Sequence, residues 1–125
     1  MCRPRLLVPL LAALAVLPAG CGDSPPSLSV EGASGERSEQ IIREVGCGSC
    51  HVIPGLPQAD GRVGPELRDF DDERFIAGSL PNTPENLVEW IMDPQRFAPD
   101  TVMPDLGLDE QQARDVAAHL YCCTG

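Results

Sequence analysis

The spacing of apolar and polar residues predicts three helices. In each of them, apolar residues recur three or four positions apart, which places them on one face of a helix. The predicted helices cover residues 36–45, residues 83–93, and a segment that begins at Asp109. Their apolar stripes are, in order, Ile41, Ile42 and Val45; Leu87, Val88 and Ile91; and Ala113, Val116, Ala117 and Leu120.

Capping signals support these helices. Ser34 is a candidate cap for the first one. Thr83 and Pro84 place a capping residue before a proline at the first helical position. Asp109 and Gln112 have the spacing of a capping box at the start of the third helix.

The remaining segments predict an all-α fold with a thin core. A shorter helix is plausible over residues 71–77, and no segment alternates as a strand does. The domain therefore has three to four helices, joined by connections rich in Gly and Pro. A domain this small usually needs a supplement to its apolar core. Its aromatic residues are Phe70, Phe75, Trp90, Phe97 and Tyr121.

The first twenty residues have the pattern of a secretory signal. Arg3 and Arg5 precede an apolar run over residues 6–17. The run is too short for an ordinary membrane-spanning helix. Ala19-Gly20-Cys21 resembles the end of a bacterial lipoprotein signal, which implies cleavage after residue 20 and a lipid on Cys21. The alternative is an ordinary signal with an incidental cysteine.

Three regions follow from this. Residues 1–20 are the signal peptide, residues 21–35 are the lipid anchor and a flexible linker rich in Ser, Gly and Pro, and residues 36–125 are the folded domain. We expect the protein to be exported and anchored through Cys21 to the outer, periplasmic face of the bacterial cytoplasmic membrane.

The charge of the chain excludes some partners. The whole chain has a net charge of −10. Without residues 1–20 it keeps seven arginines, no lysine and nineteen acidic residues, a net charge of −12. Nucleic acid is therefore not an expected partner, and neither is an anionic lipid surface held by charge. Attachment to a membrane would depend on the lipid at Cys21.

The segment Cys47-Gly48-Ser49-Cys50-His51 is the strongest chemical signal in the chain. Cysteines three residues apart lie on one side of a helical turn. Each thiol of this pair can add across one vinyl group of a haem, and His51 can then place an imidazole nitrogen on the iron. The pattern is typical of covalent haem attachment.

A cysteine pair at this spacing has two other possible functions. A thioredoxin-like redox pair needs a βαβ context, which the pattern does not predict. A zinc site needs a second ligand pair, and His119, Cys122 and Cys123 do not form a matching motif. Cys122 and Cys123 have no assigned role; free thiols, a vicinal disulfide and a link to a partner all stay open.

Residues 36–121 resemble the class I c-type cytochromes. That family places a Gly-Pro-x-Leu segment after CxxCH and a Met-Pro loop before its last helix, matched here by Gly64-Pro65-Glu66-Leu67 and Met103-Pro104. A closer similarity is to the cytochrome c domains associated with subunit II of bacterial haem-copper oxidases. It rests on residues 80–87, Trp90-Ile91, Asp93-Pro94-Gln95, Met103-Pro104 and Leu106-Gly107-Leu108. A copper-binding oxidase domain is not seen, so a separate carrier or subunit is expected.

The resemblance implies a cytochrome c-like fold wrapped around one covalently bound haem c. It implies that Met103 is the second axial ligand of the iron. It also implies that the carbonyl of Pro65 accepts a hydrogen bond from the His51 imidazole, and that Trp90 and Arg62 meet the haem propionates. As alternatives, Trp90 is only a core residue and Arg62 only a solvated one.

Other side chains compete with Met103 for the iron. Pro104 restricts Met103 to extended backbone angles, which suits a side chain held out towards a metal. Met103 could instead be a core methionine. Met92 falls within the second helix and is expected to pack. His119 falls on the last helix, which in the family packs against the first helix.

Histidine and methionine ligands leave the iron no open position. The resemblance therefore implies an electron-transfer protein without a small-molecule substrate, not an enzyme. A quinol-oxidising complex is the expected donor and a haem-copper terminal oxidase the expected acceptor, within a respiratory chain. Two alternatives stay open: a haem-based sensor or ligand-binding protein, and a fixed electron-relay subunit of a larger redox complex.

Overall fold

Four helices and one short hairpin make up the part of the chain that the structure describes, residues 28–125 of a computed structural model. The predicted signal peptide and Cys21 lie outside the described residues. No helix within residues 28–125 has the length and apolar character that crossing a membrane requires. The elements are α1 (Gly35–Glu44), β1 (Phe75–Ile76), β2 (Leu80–Pro81), α2 (Pro84–Met92), α3 (Pro94–Phe97) and α4 (Glu110–Cys122).

The three predicted helices are present as α1, α2 and α4. The Thr83 hydroxyl accepts a hydrogen bond from the Asn86 backbone at 3.3 Å, and Pro84 is the first residue of α2. Asp109 and Gln112 form both hydrogen bonds of the capping box, at 2.8 and 3.0 Å. Ser34 stands at the cap position of α1, but its side chain makes no capping hydrogen bond.

The segment over residues 71–77 is not a helix. It holds a single 3-10 turn at Phe70–Asp72, followed by strand β1. The side-chain amide of Asn82 donates to the carbonyl oxygens of Phe70 and Glu73, both at 2.9 Å, so backbone groups that a helix would need are already bonded. The structure adds a short hairpin of β1 and β2, whose strands have two residues each and are too short to show the alternation of a strand.

Helix α4 lies at the centre of the packing and contacts both α1 and α2. Ala113 and Ala117 are fully buried, and small side chains let the helices approach closely. The predicted all-α fold is confirmed, with the hairpin as a small addition. The larger buried apolar residues are Ile41, Ile42, Ile53, Leu56, Phe70, Ile76, Leu87, Val88, Trp90, Ile91, Leu108, Val116, Leu120 and Tyr121.

Residues 28–34, which the sequence assigns to the linker, lie against α4. The carboxylate of Asp115 on α4 is buried, with 1% of its surface exposed. It accepts hydrogen bonds from the Ser34 backbone at 2.7 Å and the Gln111 side chain at 3.1 Å, and it pairs with Arg37 at 3.0 Å. A buried charge needs such partners. This carboxylate therefore fixes the place where the chain enters the domain.

His119 is the other buried polar side chain of the α1–α4 contact, with 5% of its surface exposed. Its Nδ1 lies 3.4 Å from the Ser38 hydroxyl, and its Nε2 has no hydrogen-bond partner within residues 28–125. Burial lowers the pKa of His119 below its ordinary 6.5, and the Glu39 carboxylate opposes this effect. His119 is therefore kept neutral in the folded domain.

We expect the free energy of unfolding to decrease as the pH falls below 6.5. The unfolded chain takes up a proton on His119 near its ordinary pKa of 6.5, whereas the folded domain does so only at a lower pH. The contribution is complete above 6.5 and is lost as the pH falls through the folded pKa. One such proton changes the free energy of unfolding by at most about 1.4 kcal/mol per pH unit. Denaturant titrations of wild type and His119→Gln should show a shallower pH dependence in the variant, and equal slopes would contradict this role.

Candidate functional site

One large cavity contains most of the side chains that the sequence singles out. Its volume is about 1230 Å³, above the range of roughly 300–1,000 Å³ that is usual for small-molecule pockets. It is bounded by the segment after α1, the loop and hairpin over residues 63–78, helix α2 and the loop over residues 101–106. The predicted site residues that line it are Cys47, Cys50, His51, Pro65, Trp90 and Met103.

The CxxCH segment forms a tight turn at the end of α1. Gly46 has a φ of 76°, in the left-handed region that favours glycine, and directs the chain out of the helix. The backbone N–H groups of Cys50 and His51 both donate to the Cys47 carbonyl, at 3.1 and 3.0 Å. This turn brings both cysteine side chains to the cavity wall. Burial raises the pKa of the Cys47 thiol, which disfavours the thiolate that a redox pair or a zinc site uses.

The imidazole of His51 has a defined orientation. Its Nδ1 lies 2.7 Å from the carbonyl oxygen of Pro65. Because a carbonyl oxygen only accepts hydrogen bonds, Nδ1 carries the hydrogen and Nε2 keeps its lone pair. A histidine held in this way presents Nε2 as a metal ligand.

Gly64 leaves the space that this imidazole occupies. A Cβ atom at position 64 would lie 2.7 Å from Nδ1 of His51, so no other residue fits without displacing the ring. The backbone of the same loop is held close, since the N–H groups of Val63 and Gly64 donate to the Cys50 carbonyl at 3.1 and 2.8 Å. The Gly-Pro pair therefore supplies both the room for the ring and its hydrogen-bond acceptor.

Met103 reaches the cavity from the loop before α4. The Gln95 side chain on α3 donates to the Met103 carbonyl at 2.7 Å, and the Met103 N–H donates to the Thr101 hydroxyl at 3.3 Å. Met92 and His119, its competitors for the iron, do not line the cavity. Met103 is thus the candidate that shares the cavity with His51.

The arginines that line the cavity are not the one expected to meet the haem propionates, Arg62. Arg62 does not line it, whereas Arg68 and Arg74 do. Arg68 pairs with Glu66 at 2.9 Å, but Arg74 has no carboxylate within salt-bridge distance in the described part of the chain. Arg74 is a candidate propionate partner that the sequence reasoning missed. The role of Arg62 stays a prediction.

The residues present fit a haem c. The cavity offers two free thiols at CxxC spacing, an imidazole with Nε2 available, a thioether and largely apolar walls. A zinc site would need further ligands, and in residues 28–125 no three His, Cys, Asp or Glu side chains come together as a metal-binding group.

Comparison with known sequences gives one family. The sequence model of the cytochrome c family matches residues 35–121. The matched residues cover α1, the CxxCH turn, the Met103 loop and nearly all of α4.

Three similar proteins are called cytochrome c oxidase subunit 2. The one from Alkalihalophilus pseudofirmus is 35% identical over 97 residues, which are 67% of this chain and 28% of that protein. The one from Bacillus sp. strain PS3 is 39% identical over 66 residues, 51% of this chain and 18% of that protein. The one from Bacillus subtilis is 30% identical over 70 residues, 54% of this chain and 20% of that protein. The match thus spans less than a third of each relative.

Proposed function

This chain belongs to the cytochrome c family of electron-transfer proteins, and we propose that it is a respiratory electron carrier with one covalently attached haem c. The observation that carries the proposal is the single cavity lined by Cys47, Cys50, His51 and Met103. When bound, haem c supplies a one-electron couple between ferric and ferrous iron. A visible-spectrum redox titration of the intact holoprotein tests this proposal.

The chain's own residues have distinct roles in this proposal. Cys47 and Cys50 would hold the haem through two thioether bonds, and His51 would hold its iron through Nε2. The hydrogen bond to Pro65 fixes the imidazole and raises its basicity. The apolar walls exclude water, which, together with the methionine ligand, favours a high potential.

The hold on Met103 favours a carrier over a haem-based sensor. A sensor needs a sixth position that opens or exchanges readily. Both backbone polar groups of Met103 are hydrogen-bonded, to Gln95 and Thr101, and Pro104 follows. With these two hydrogen bonds and Pro104 restraining its backbone, Met103 is suited to remain an iron ligand. The iron would then have no open position for a substrate, and the protein would only transfer electrons.

We propose a terminal oxidase as the electron acceptor and a quinol-oxidising complex as the donor. The support is the similarity to proteins named cytochrome c oxidase subunit 2. Because the match covers at most 28% of their length, we assign electron transfer and not oxidase activity to this chain. Co-purification with an oxidase would identify a fixed relay subunit, and its absence would identify a mobile carrier.

The exposed edge of the cavity is suited to brief apolar contacts with a redox partner. Val63, Phe75 and Val102 line the cavity and are 67%, 50% and 80% exposed. The chain has no lysine. The charged side chains around them do not form a basic patch, since Arg68 pairs with Glu66 and acidic residues outnumber arginines. The charged cavity-lining residues are Glu66, Arg68, Asp69, Asp72, Glu73 and Arg74.

A lipid on Cys21 would substitute for electrostatic attraction. We propose that export and lipidation hold the domain on the outer face of the cytoplasmic membrane. Since residues 28–34 contact α4, seven residues, 21–27, remain between the lipid and the domain. Seven residues span at most ~25 Å, so the domain would stay close to a partner in the same membrane.

Electron transfer to the oxidase is expected to depend on the anchor and only weakly on salt. The comparison is between the lipidated protein in membranes and a form that begins at Leu28, which keeps the contacts of Ser34 and Arg37 with Asp115. A short tether raises the effective concentration towards about 1 mM, so at about 10 μM protein the truncated form should react on the order of 100-fold more slowly.

The salt series separates the tether from charge steering. Exposed charges are screened beyond ~10 Å at 0.1 M salt, so an acidic, largely apolar docking surface should give a shallow response in both forms. A steep decrease with salt, combined with little loss on truncation, would contradict the tether and apolar-contact account.

A further inference from the structure

Cys122 and Cys123 form a disulfide bond at the C-terminal end of α4. Both residues are exposed, so a reductant in solution can reach them. The proposed haem attachment uses Cys47 and Cys50, and it leaves this second pair without a part in electron transfer.

The residues that flank the disulfide hold one wall of the cavity. Thr124, 1% exposed, accepts a hydrogen bond from the Asp69 N–H through its carbonyl at 3.0 Å, and another from the Phe70 N–H through its hydroxyl at 3.3 Å. On the other side, the Tyr121 hydroxyl donates to Asn82 at 2.7 Å, and Asn82 donates to the Phe70 carbonyl. We call this set of hydrogen bonds the C-terminal clamp.

The clamp stabilises an unfavourable backbone conformation at Asp69. Asp69 has a φ of 49°, in the left-handed region that a residue other than glycine seldom adopts. Asp69 and Phe70 both line the cavity, as does Leu120, whose carbonyl accepts from the Thr124 hydroxyl at 2.7 Å. Release of Thr124 would therefore remove two hydrogen bonds from a turn in the cavity wall.

The disulfide restrains the backbone that leads to Thr124. Cys122 is the last residue of α4, Cys123 caps the helix, and Thr124 follows directly. A covalent link between the side chains of residues 122 and 123 limits the conformations of this last turn, which lowers the entropy that is lost when Thr124 binds residues 69 and 70.

We propose that Cys122–Cys123 is a thiol–disulfide exchange site whose redox state controls the C-terminal clamp. A dithiol reductant attacks one sulfur, the S–S bond breaks, and the pair takes up two electrons and two protons to give two thiols. The reductant is oxidised to its own disulfide. In the reduced form the clamp opens, and the turn at Asp69 and Phe70 becomes mobile. The proposal goes beyond electron transfer and does not depend on the identity of the partners.

Amide hydrogen exchange of the holoprotein tests this directly. Samples with and without dithiothreitol are both kept ferrous with ascorbate, so that they differ only in the state of the disulfide. Reduction should lower the protection of the Asp69 and Phe70 amides about tenfold, the effect of one to two ordinary hydrogen bonds. The amides of Val63 and Gly64, which donate to Cys50, should not change.

Two variants complete the test. Cys122→Ser/Cys123→Ser should show the lower protection without reductant and should not respond to dithiothreitol. Thr124→Val removes the hydroxyl, which accepts from Phe70 and donates to the Leu120 carbonyl, so protection of the Phe70 amide should decrease while Asp69 keeps its bond to the Thr124 carbonyl. Unchanged protection after both thiols have been alkylated would overturn the proposal, as would two alkylatable thiols at positions 122 and 123 in the untreated protein.

Discussion

Replacement of both Cys47 and Cys50 by alanine is expected to leave a chain from which all haem is extracted on denaturation. In the wild type, thioether bonds would survive unfolding although coordination by His51 does not, so essentially all haem should stay with the chain. Acidified organic solvent followed by a visible spectrum of the protein fraction measures the difference. The physical reason is that the two thiols that line the cavity are the covalent attachment points we propose.

Loss of the cofactor should also unfold the domain. The cavity of about 1230 Å³ would otherwise be left with apolar walls and nothing to pack against. Far-ultraviolet circular dichroism of protein made without haem attachment should therefore show little helix. A cooperative, fully helical apo form would contradict this expectation.

The second cysteine pair supplies the matched control. Cys122→Ser/Cys123→Ser also removes two cysteines, but these are disulfide-bonded to each other and lie outside the cavity. This variant should keep its haem through denaturation. If haem is extracted freely from unfolded wild type, the covalent assignment is wrong.

Met103→Ala is expected to remove sulfur from the iron. The oxidised variant should lose the weak near-infrared band associated with sulfur-to-iron ligation. The reduced variant should bind carbon monoxide rapidly because its sixth position is open, whereas wild type should not. The midpoint potential should fall by on the order of 0.1 V or more, within the roughly 0.8 V that axial ligands span.

Met92→Leu is the control for Met103. Met92 is on α2 and does not line the cavity, so this variant should keep the near-infrared band and the wild-type potential. Persistence of the band in Met103→Ala, with its loss in Met92→Leu, would assign the ligand to Met92. Rapid carbon monoxide binding by wild type would favour the sensor alternative.

The helices could be predicted because their signals are local. The cap at Thr83 and the capping box at Asp109 and Gln112 are patterns within four residues, and both form as expected. The Cys47–His51 motif is local in the same way. Its geometry depends on one distant element, the Gly64-Pro65 segment, which the family resemblance supplied.

The features that were missed depend on contacts between distant segments. The 3-10 turn at residues 70–72 is held by the side chain of Asn82, which binds the carbonyl oxygens of Phe70 and Glu73 from 12 and 9 residues away. The Ser34 side chain makes no capping hydrogen bond, and the Ser34 backbone N–H instead donates to Asp115, 81 positions away. The position of Arg74 at the cavity depends on how the turn and hairpin fold, which no local pattern reveals, whereas Arg62 was pointed to by the family resemblance.

A visible-spectrum redox titration of the intact holoprotein tests the central claim most directly. One electron per chain should convert a single c-type haem from ferric to ferrous, with the spectrum of histidine and methionine ligation in both states and no change on addition of carbon monoxide. The spectrum reports covalent attachment, which depends on Cys47 and Cys50, and axial ligation, which depends on His51 and Met103. More than one electron per chain, a spectrum of non-covalent haem, or a carbon monoxide complex of the wild type would contradict a mono-haem electron carrier.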